Sequence, residues 1–107
     1  MRQLDDARVI QALKALADPN RFRMVQVIAE AGEISCGEVN EQFDLAQPTI
    51  SHHVRLLVDA GLLTARTEGK HHMLSVDRAL LTRLAGVLPA RLAPERRLRG
   101  RAVARRA

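Results

Sequence analysis

The amino-acid sequence predicts a mainly α fold with a small β-hairpin, in the order α-α-α-α-β-β-α. Three observations predict it. A short capped segment precedes an amphipathic helix at residues 47–60, two extended runs follow that helix, and a leucine-rich segment at 78–92 comes last. Two helices joined by a tight turn and followed by a hairpin are the layout of a winged helix-turn-helix.

The first two helices are predicted from apolar spacing and start signals. Residues 4–17 place apolar side chains at helical intervals, and two aspartates in the first turn suit the helix dipole. Asp18 followed by Pro19 signals the N-cap and first position of a second helix, at about 19–31, which ends at Gly32. We expect it to pack through Phe22, Val25, Ile28 and Ala29.

The third and fourth helices form the predicted helix-turn-helix. Ser35 and Glu38 have the S-x-x-E spacing of a capping box, which begins a short helix at about 36–43. Pro48 lies in the first turn of the fourth helix, which ends at Gly61. Its apolar face has the spacing i, i+4, i+7, i+8 and consists of Ile50, Val54, Leu57 and Val58.

The hairpin and the last helix complete the order. The runs LLTART and HHMLSV flank Glu68-Gly69-Lys70 and predict two strands joined by a turn. Asp77 is the expected cap of a helix at about 78–92, and we expect Pro89 to kink or end that helix.

Composition predicts a small cytoplasmic protein with an aliphatic core. The 107 residues suit one domain, and 47% are hydrophobic while only 2% are aromatic. A monomer of this size is marginal, which favours a dimer. No apolar run approaches the roughly 20 residues that span a membrane. The N-terminus lacks a secretory signal, and a single cysteine suits a reducing compartment.

The net charge of +5 is unevenly distributed. Residues 1–90 hold 10 basic and 11 acidic residues, whereas residues 91–107 hold seven arginines and one glutamate. We therefore predict one DNA-binding and dimerisation domain at 1–92 and an Arg-rich, mobile tail at 93–107. The tail either adds salt-dependent phosphate binding, which we favour, or only aids solubility.

The fourth helix carries side chains suited to DNA. A helix in a major groove needs one apolar face to seat it and polar side chains near its N-terminal end. Arg55 could bind guanine or a phosphate, and Gln47 could pair with adenine. The polar candidates on this helix are Gln47, Thr49, Ser51, His52 and Arg55. Candidates at the hairpin, for phosphates or a minor groove, are Arg66, Lys70 and His71. The alternative is a solvated surface without a ligand.

The strings LADPNRFRMVQVIAE and LAQPTISHHVRLLVDAGLLTARTEGKHHMLSVD resemble the ArsR-type (ArsR/SmtB) family of small bacterial repressors, over roughly residues 10–80. The resemblance implies a homodimer that binds a double-stranded DNA operator and releases it on a signal. It implies a recognition helix at 47–60, a wing at 64–76 and a dimer interface made by the first and last helices. Two-fold symmetry then requires a pseudo-palindromic operator with half-sites roughly 34–36 Å apart.

The metal sites of that family are not matched here. Many members bind metal through cysteines of an ELCVCDL-like string, which aligns with Glu33-Ile-Ser-Cys-Gly-Glu-Val39. Ser35 and Gly37 stand in place of the two ligand cysteines. Other members carry Asp and His ligands on the last helix, but here that helix has Asp77 and no histidine. We therefore predict no metal and no cofactor, and the inducer stays unknown.

The histidine pairs are poor chelators for geometric reasons. His52 and His53 diverge by about 100° on a helix, and His71 and His72 point to opposite faces of a strand. We expect His53, which neighbours the apolar face, to pack and make a structural hydrogen bond. His52, on the opposite face, is the better DNA contact.

The role of Cys36 and one other class of function stay open. Cys36, the second residue of a capped helix, is expected to have a lowered pKa. It could then act as the sensing thiol of a redox- or persulfide-responsive repressor. The alternative is that Cys36 is an inert small residue. A winged-helix module that binds protein is the other alternative to a repressor. No enzyme is predicted, because the sequence shows no nucleophile–base pair, phosphate loop or paired carboxylates.

Overall fold

A computed structural model describes residues 4–95, so most of the predicted Arg-rich tail lies outside the described residues. The elements of this part are α1 (Asp6–Leu16), α2 (Pro19–Ala31), β1 (Ile34–Ser35), α3 (Cys36–Glu41), α4 (Gln47–Asp59), β2 (Leu63–Glu68), β3 (His71–Val76) and α5 (Arg78–Leu92). The predicted order of helices and hairpin is confirmed, with β1 as an addition. None of these helices is long and apolar enough to cross a membrane.

Capping side chains begin most of the helices. Asp18 accepts hydrogen bonds from the backbone N–H groups of Asn20 and Arg21, at 2.9 and 3.0 Å, and the predicted capping box of α3 is formed. We expected Asp5 in the first turn of α1, but it is the N-cap of that helix. Asp77 caps α5, so only α4, which follows Ala46, lacks a side-chain cap among the helices of residues 4–95.

The strand β1 was not predicted, because two residues are too few to show an alternating pattern. It pairs antiparallel with β3, Ile34 opposite Leu74 and Ser35 opposite Met73, which gives the sheet order β1-β3-β2. Ile34 is buried. Its pairing places the start of α3 beside the hairpin.

The core is aliphatic, as the composition predicts, and two expectations about helices are corrected. Phe22 is half exposed, whereas Met24 is fully buried. The buried face of α2 is centred on Met24, Val25 and Ile28, and Phe22 lies beyond its edge. The helix α5 runs to Leu92 as predicted, so Pro89 does not end it; a kink at Pro89 stays a prediction.

Candidate nucleic-acid interface

The helix α4 is anchored along one face and at its C-terminal end. Ile50 and Leu57 are buried, and the two valines between and beside them are half-buried. At the C-terminal end, the Gln11 side chain of α1 donates a hydrogen bond to the Asp59 carbonyl at 3.3 Å. Gly61 then turns the chain away with φ of +83°, a conformation that other residues adopt only with strain. The position of α4 is therefore set from the core.

The exposed polar side chains of α4 have no partner within residues 4–95. We call five of them the α4 outer surface; they are Gln47, Thr49, Ser51, His52 and Arg55. No hydrogen bond or ion pair to these side chains occurs in the described part of the chain. The structure thus leaves the five polar candidates of this helix exposed and without partners in the described part of the chain.

The hairpin carries a second polar surface, whose side chains are paired with one another. We call it the outer sheet surface; it consists of Glu33, Thr64, Arg66, Glu68 and Ser75. Arg66 donates to both carboxylate oxygens of Glu33, each at 2.7 Å, and to Glu68 at 3.3 Å. Thr64 and Ser75 share a hydrogen bond of 2.8 Å across the strands.

The ion pair changes the expected role of Arg66. Its hydrogen bond and charge lower the pKa of the Glu33 carboxyl, and Glu33 in turn raises the pKa of the Arg66 guanidinium. A bidentate pair occupies the planar fork that would otherwise bind guanine or phosphate. A DNA contact by Arg66 stays a prediction, and this pairing weighs against it.

The other hairpin candidates lie at its tip. Lys70 follows Gly69, whose φ of +61° forms the turn, and His71 begins β3 opposite Glu68. Both candidates are exposed, and no hydrogen bond to either side chain occurs within residues 4–95. Lys70 is therefore a cation at the tip that no carboxylate of the described chain neutralises.

The two histidines of α4 have different surroundings. His52 is exposed, whereas Nδ1 of the half-buried His53 lies 3.1 Å from Nη1 of Arg21. The predicted structural hydrogen bond of His53 is confirmed. Sequence reasoning missed Arg21, although one signal was present: a cation in the first turn of a helix opposes the helix dipole and so indicates a partner elsewhere.

Cys36 departs from expectation in its acidity. The thiol is half-buried, and burial raises its pKa, so the predicted lowering at the start of α3 is wrong. Loss of water around a thiolate disfavours the charged form. A redox role for Cys36 stays a prediction. Within residues 4–95, no three His, Cys, Asp or Glu side chains gather closely enough to hold a metal ion.

Comparison with known proteins gives the family. Residues 16–66 match the family model of a helix-turn-helix domain. The chain is 38% identical over 69 residues to an arsenical resistance operon repressor of Staphylococcus xylosus, covering 64% of this chain and 65% of that repressor. It is 34% identical over 90 residues to the HTH-type transcriptional regulator YceK of Bacillus subtilis, covering 82% and 90%.

A solved structure agrees with the fold. It is the solution structure of a homodimeric winged helix-turn-helix DNA-binding domain from Mycobacterium bovis, a possible ArsR-family regulator, with a TM-score of 0.64 at 24% identity. It covers 92% of this chain and 100% of that domain. The fold and these matches define the class, a winged helix-turn-helix transcriptional regulator. Within that class, the chain belongs to the ArsR-type family. The part of this chain that matches the staphylococcal repressor spans 65% of that repressor's length.

Proposed function

We propose that this protein is a transcriptional repressor that binds a double-stranded DNA operator as a homodimer. The observation that carries the proposal is the α4 outer surface: five exposed polar side chains without partners within residues 4–95, on a helix anchored in the core. A helix so placed fits a major groove. Occupying the operator would repress by excluding RNA polymerase.

The chemistry of the surface suggests a division of roles. Arg55 can donate two hydrogen bonds to guanine O6 and N7, or bind a phosphate, and Gln47 can pair with adenine N6 and N7. The two residues lie eight positions apart, which is about 12 Å along a helix, so they would contact different base pairs. Thr49, Ser51 and His52 lie between them. Lys70 and His71 would contact phosphates or a minor groove beside the helix.

The proposed dimer uses the groove between α1 and α5. The groove is lined mainly by apolar side chains, and Ile10, Leu13 and Leu92 stay exposed there at 51%, 39% and 76%. Arg91 of α5 is bound to Asp6 at 2.7 Å and to the Leu4 carbonyl, which holds the two helices together at the groove. A second copy covering this apolar surface would form the interface expected from the sequence, and the related M. bovis domain is a homodimer.

Selection from random-sequence duplexes, followed by fluorescence anisotropy, tests the proposal. We expect an inverted repeat whose half-sites are about 10 base pairs apart, bound at near-physiological salt about a thousandfold more tightly than its scrambled duplex. The duplex upstream of the protein's own gene is then tested in the same way. Equal, weak and strongly salt-dependent binding to every duplex would contradict the proposal and favour a protein-interaction module.

A further inference from the structure

One side chain, Arg21, joins three helices. It lies in the first turn of α2, and its Nε donates to the carbonyl of Ala15 at 2.7 Å, while Nη2 donates to the carbonyl of Lys14 at 3.4 Å. Both carbonyls belong to the C-terminal turn of α1. The third nitrogen, Nη1, lies 3.1 Å from Nδ1 of His53 on α4. We call this set of contacts the Arg21 clasp.

The chemistry of the clasp fixes the state of His53. A guanidinium has only donors, so Nδ1 of His53 must be the acceptor and carry no proton. The neutral imidazole then has its proton on Nε2. The α1 carbonyls complement the guanidinium, because the last turn of a helix has unpaired acceptors and the negative end of the dipole.

The charged groups around His53 come from few elements. Asp18, at the start of α2, is a carboxylate whose charge interacts with that of His53; hydrogen bonding by the Arg21 backbone N–H and the charge of Arg21 lower the pKa of Asp18. The α1 helix contributes the carbonyls described above, and on α4 the ring of His52 is centred 6.2 Å away. The charged residues of β2 lie on the outer sheet surface, where Arg66 binds both Glu33 and Glu68. A proton on His53 would therefore face Arg21 directly.

We propose that Arg21 is a positioning residue for DNA recognition, and that it sets the position of α4 through the neutral side chain of His53. The proposal rests on the proposed function. Protonation of His53 removes the acceptor and places two cations at hydrogen-bonding distance, so α4 loses this contact with Arg21 and shifts on its remaining anchors, the buried face and the Gln11–Asp59 hydrogen bond. Operator affinity then falls on acidification, although a new positive charge on α4 would by itself favour DNA.

The decisive comparison is between the wild type and His53→Asn, from pH 8 to pH 5. Asparagine offers an oxygen near the position of Nδ1 and does not titrate. At pH 8 we expect His53→Asn to bind the operator within about threefold of the wild type, and Arg21→Gln to bind about tenfold more weakly. Over this range the wild type should lose operator affinity by a larger factor than His53→Asn, because only the wild type can gain a proton at position 53. Identical pH profiles would overturn the proposal.

Two further measurements guard against unfolding and against failure of the proposed function. Arg23→Gln removes the same charge from an exposed position of α2 and should leave operator affinity unchanged. If Arg21→Gln does not fold, Arg21→Lys, which keeps the charge, takes its place. In the free protein at pH 8, long-range ¹H–¹⁵N spectra should show His53 with its proton on Nε2. A proton on Nδ1 overturns the clasp without DNA. Absence of operator binding by the wild type at every pH overturns both proposals, whereas normal binding by Arg21→Gln overturns this one alone.

Discussion

The α4 outer surface and the outer sheet surface are both polar and largely exposed, but within residues 4–95 only the side chains of the sheet surface are hydrogen-bonded to one another. On the sheet, Arg66 is bound by Glu33 and Glu68, and two hydroxyls across the hairpin bind each other. On α4, none of the five side chains has a partner within residues 4–95. Within the described residues, arginine is thus paired at position 66 and unpaired at position 55.

The difference shows that charge and exposure alone do not mark a binding surface. Residues 1–90 have nearly balanced charges, so their net charge cannot attract DNA strongly. What separates the two surfaces is whether a donor already has an acceptor. A ligand that binds Arg66 must first displace two carboxylates, whereas a ligand that binds Arg55 displaces only water.

The largest expected effect comes from removing the anchor beneath the α4 outer surface. Leu57 is completely buried, so Leu57→Ala should lower the free energy of unfolding by about 2–5 kcal/mol, through lost burial and a cavity. Denaturant titration at fixed protein concentration measures it. Ser51→Ala on the exposed side of the same helix is the control and should stay within about 0.5 kcal/mol. Equal stability of the two variants would contradict the structure of α4.

The next effect tests the unpaired arginine itself. Arg55→Ala should weaken binding to the selected operator by about 10- to 100-fold, which corresponds to about 1–3 kcal/mol for a lost base contact. Anisotropy gives the affinity, and sedimentation should show an unchanged oligomeric state. Arg78→Ala, at an exposed arginine of α5, should bind as the wild type does. An Arg55→Ala protein with full affinity would remove the main contact that we propose.

A smaller effect compares two cations of the hairpin. Lys70 at the tip is unpaired within residues 4–95. Lys70→Ala should therefore make the negative slope of log affinity against log salt shallower by about one and lower the affinity equally for all DNA sequences. Arg66→Ala should leave the slope unchanged, because Glu33 and Glu68 already neutralise that cation. If Arg66→Ala reduces the steepness of the slope and Lys70→Ala does not, then Arg66 contacts DNA and Lys70 does not, which contradicts our assignment.

Local signals in the sequence explain which features could be predicted. The caps Asp18, Ser35 and Asp77 stand directly before the helices that they begin, so spacing along the chain revealed them. The contacts of Arg66 with Glu33, and of Arg21 with His53, join residues 33 and 32 positions apart, and no local pattern encodes such pairs. The candidate surface of α4 could thus be predicted, whereas which charges are already paired could not.

The smallest effect is the pH dependence of the Arg66–Glu33 pair. The pKa of Glu33 is lowered from its ordinary 4.5, chiefly by the hydrogen bond from Arg66, so the pair stabilises the fold fully above pH 4.5 and loses this contribution as pH falls through the lowered pKa. Wild type should therefore unfold at slightly higher denaturant concentration than Glu33→Gln at pH 7, and the difference should shrink in acid. The pKa of Glu38 is also lowered, by its hydrogen bonds with Ser35, but that group is present in both proteins and cancels in the comparison. A difference in stability that persists in acid would mean that the contact acts through shape and neutral hydrogen bonding rather than charge. Glu33 would then not neutralise Arg66 at pH 7, and the contrast between a paired Arg66 and an unpaired Arg55 within residues 4–95 would fail.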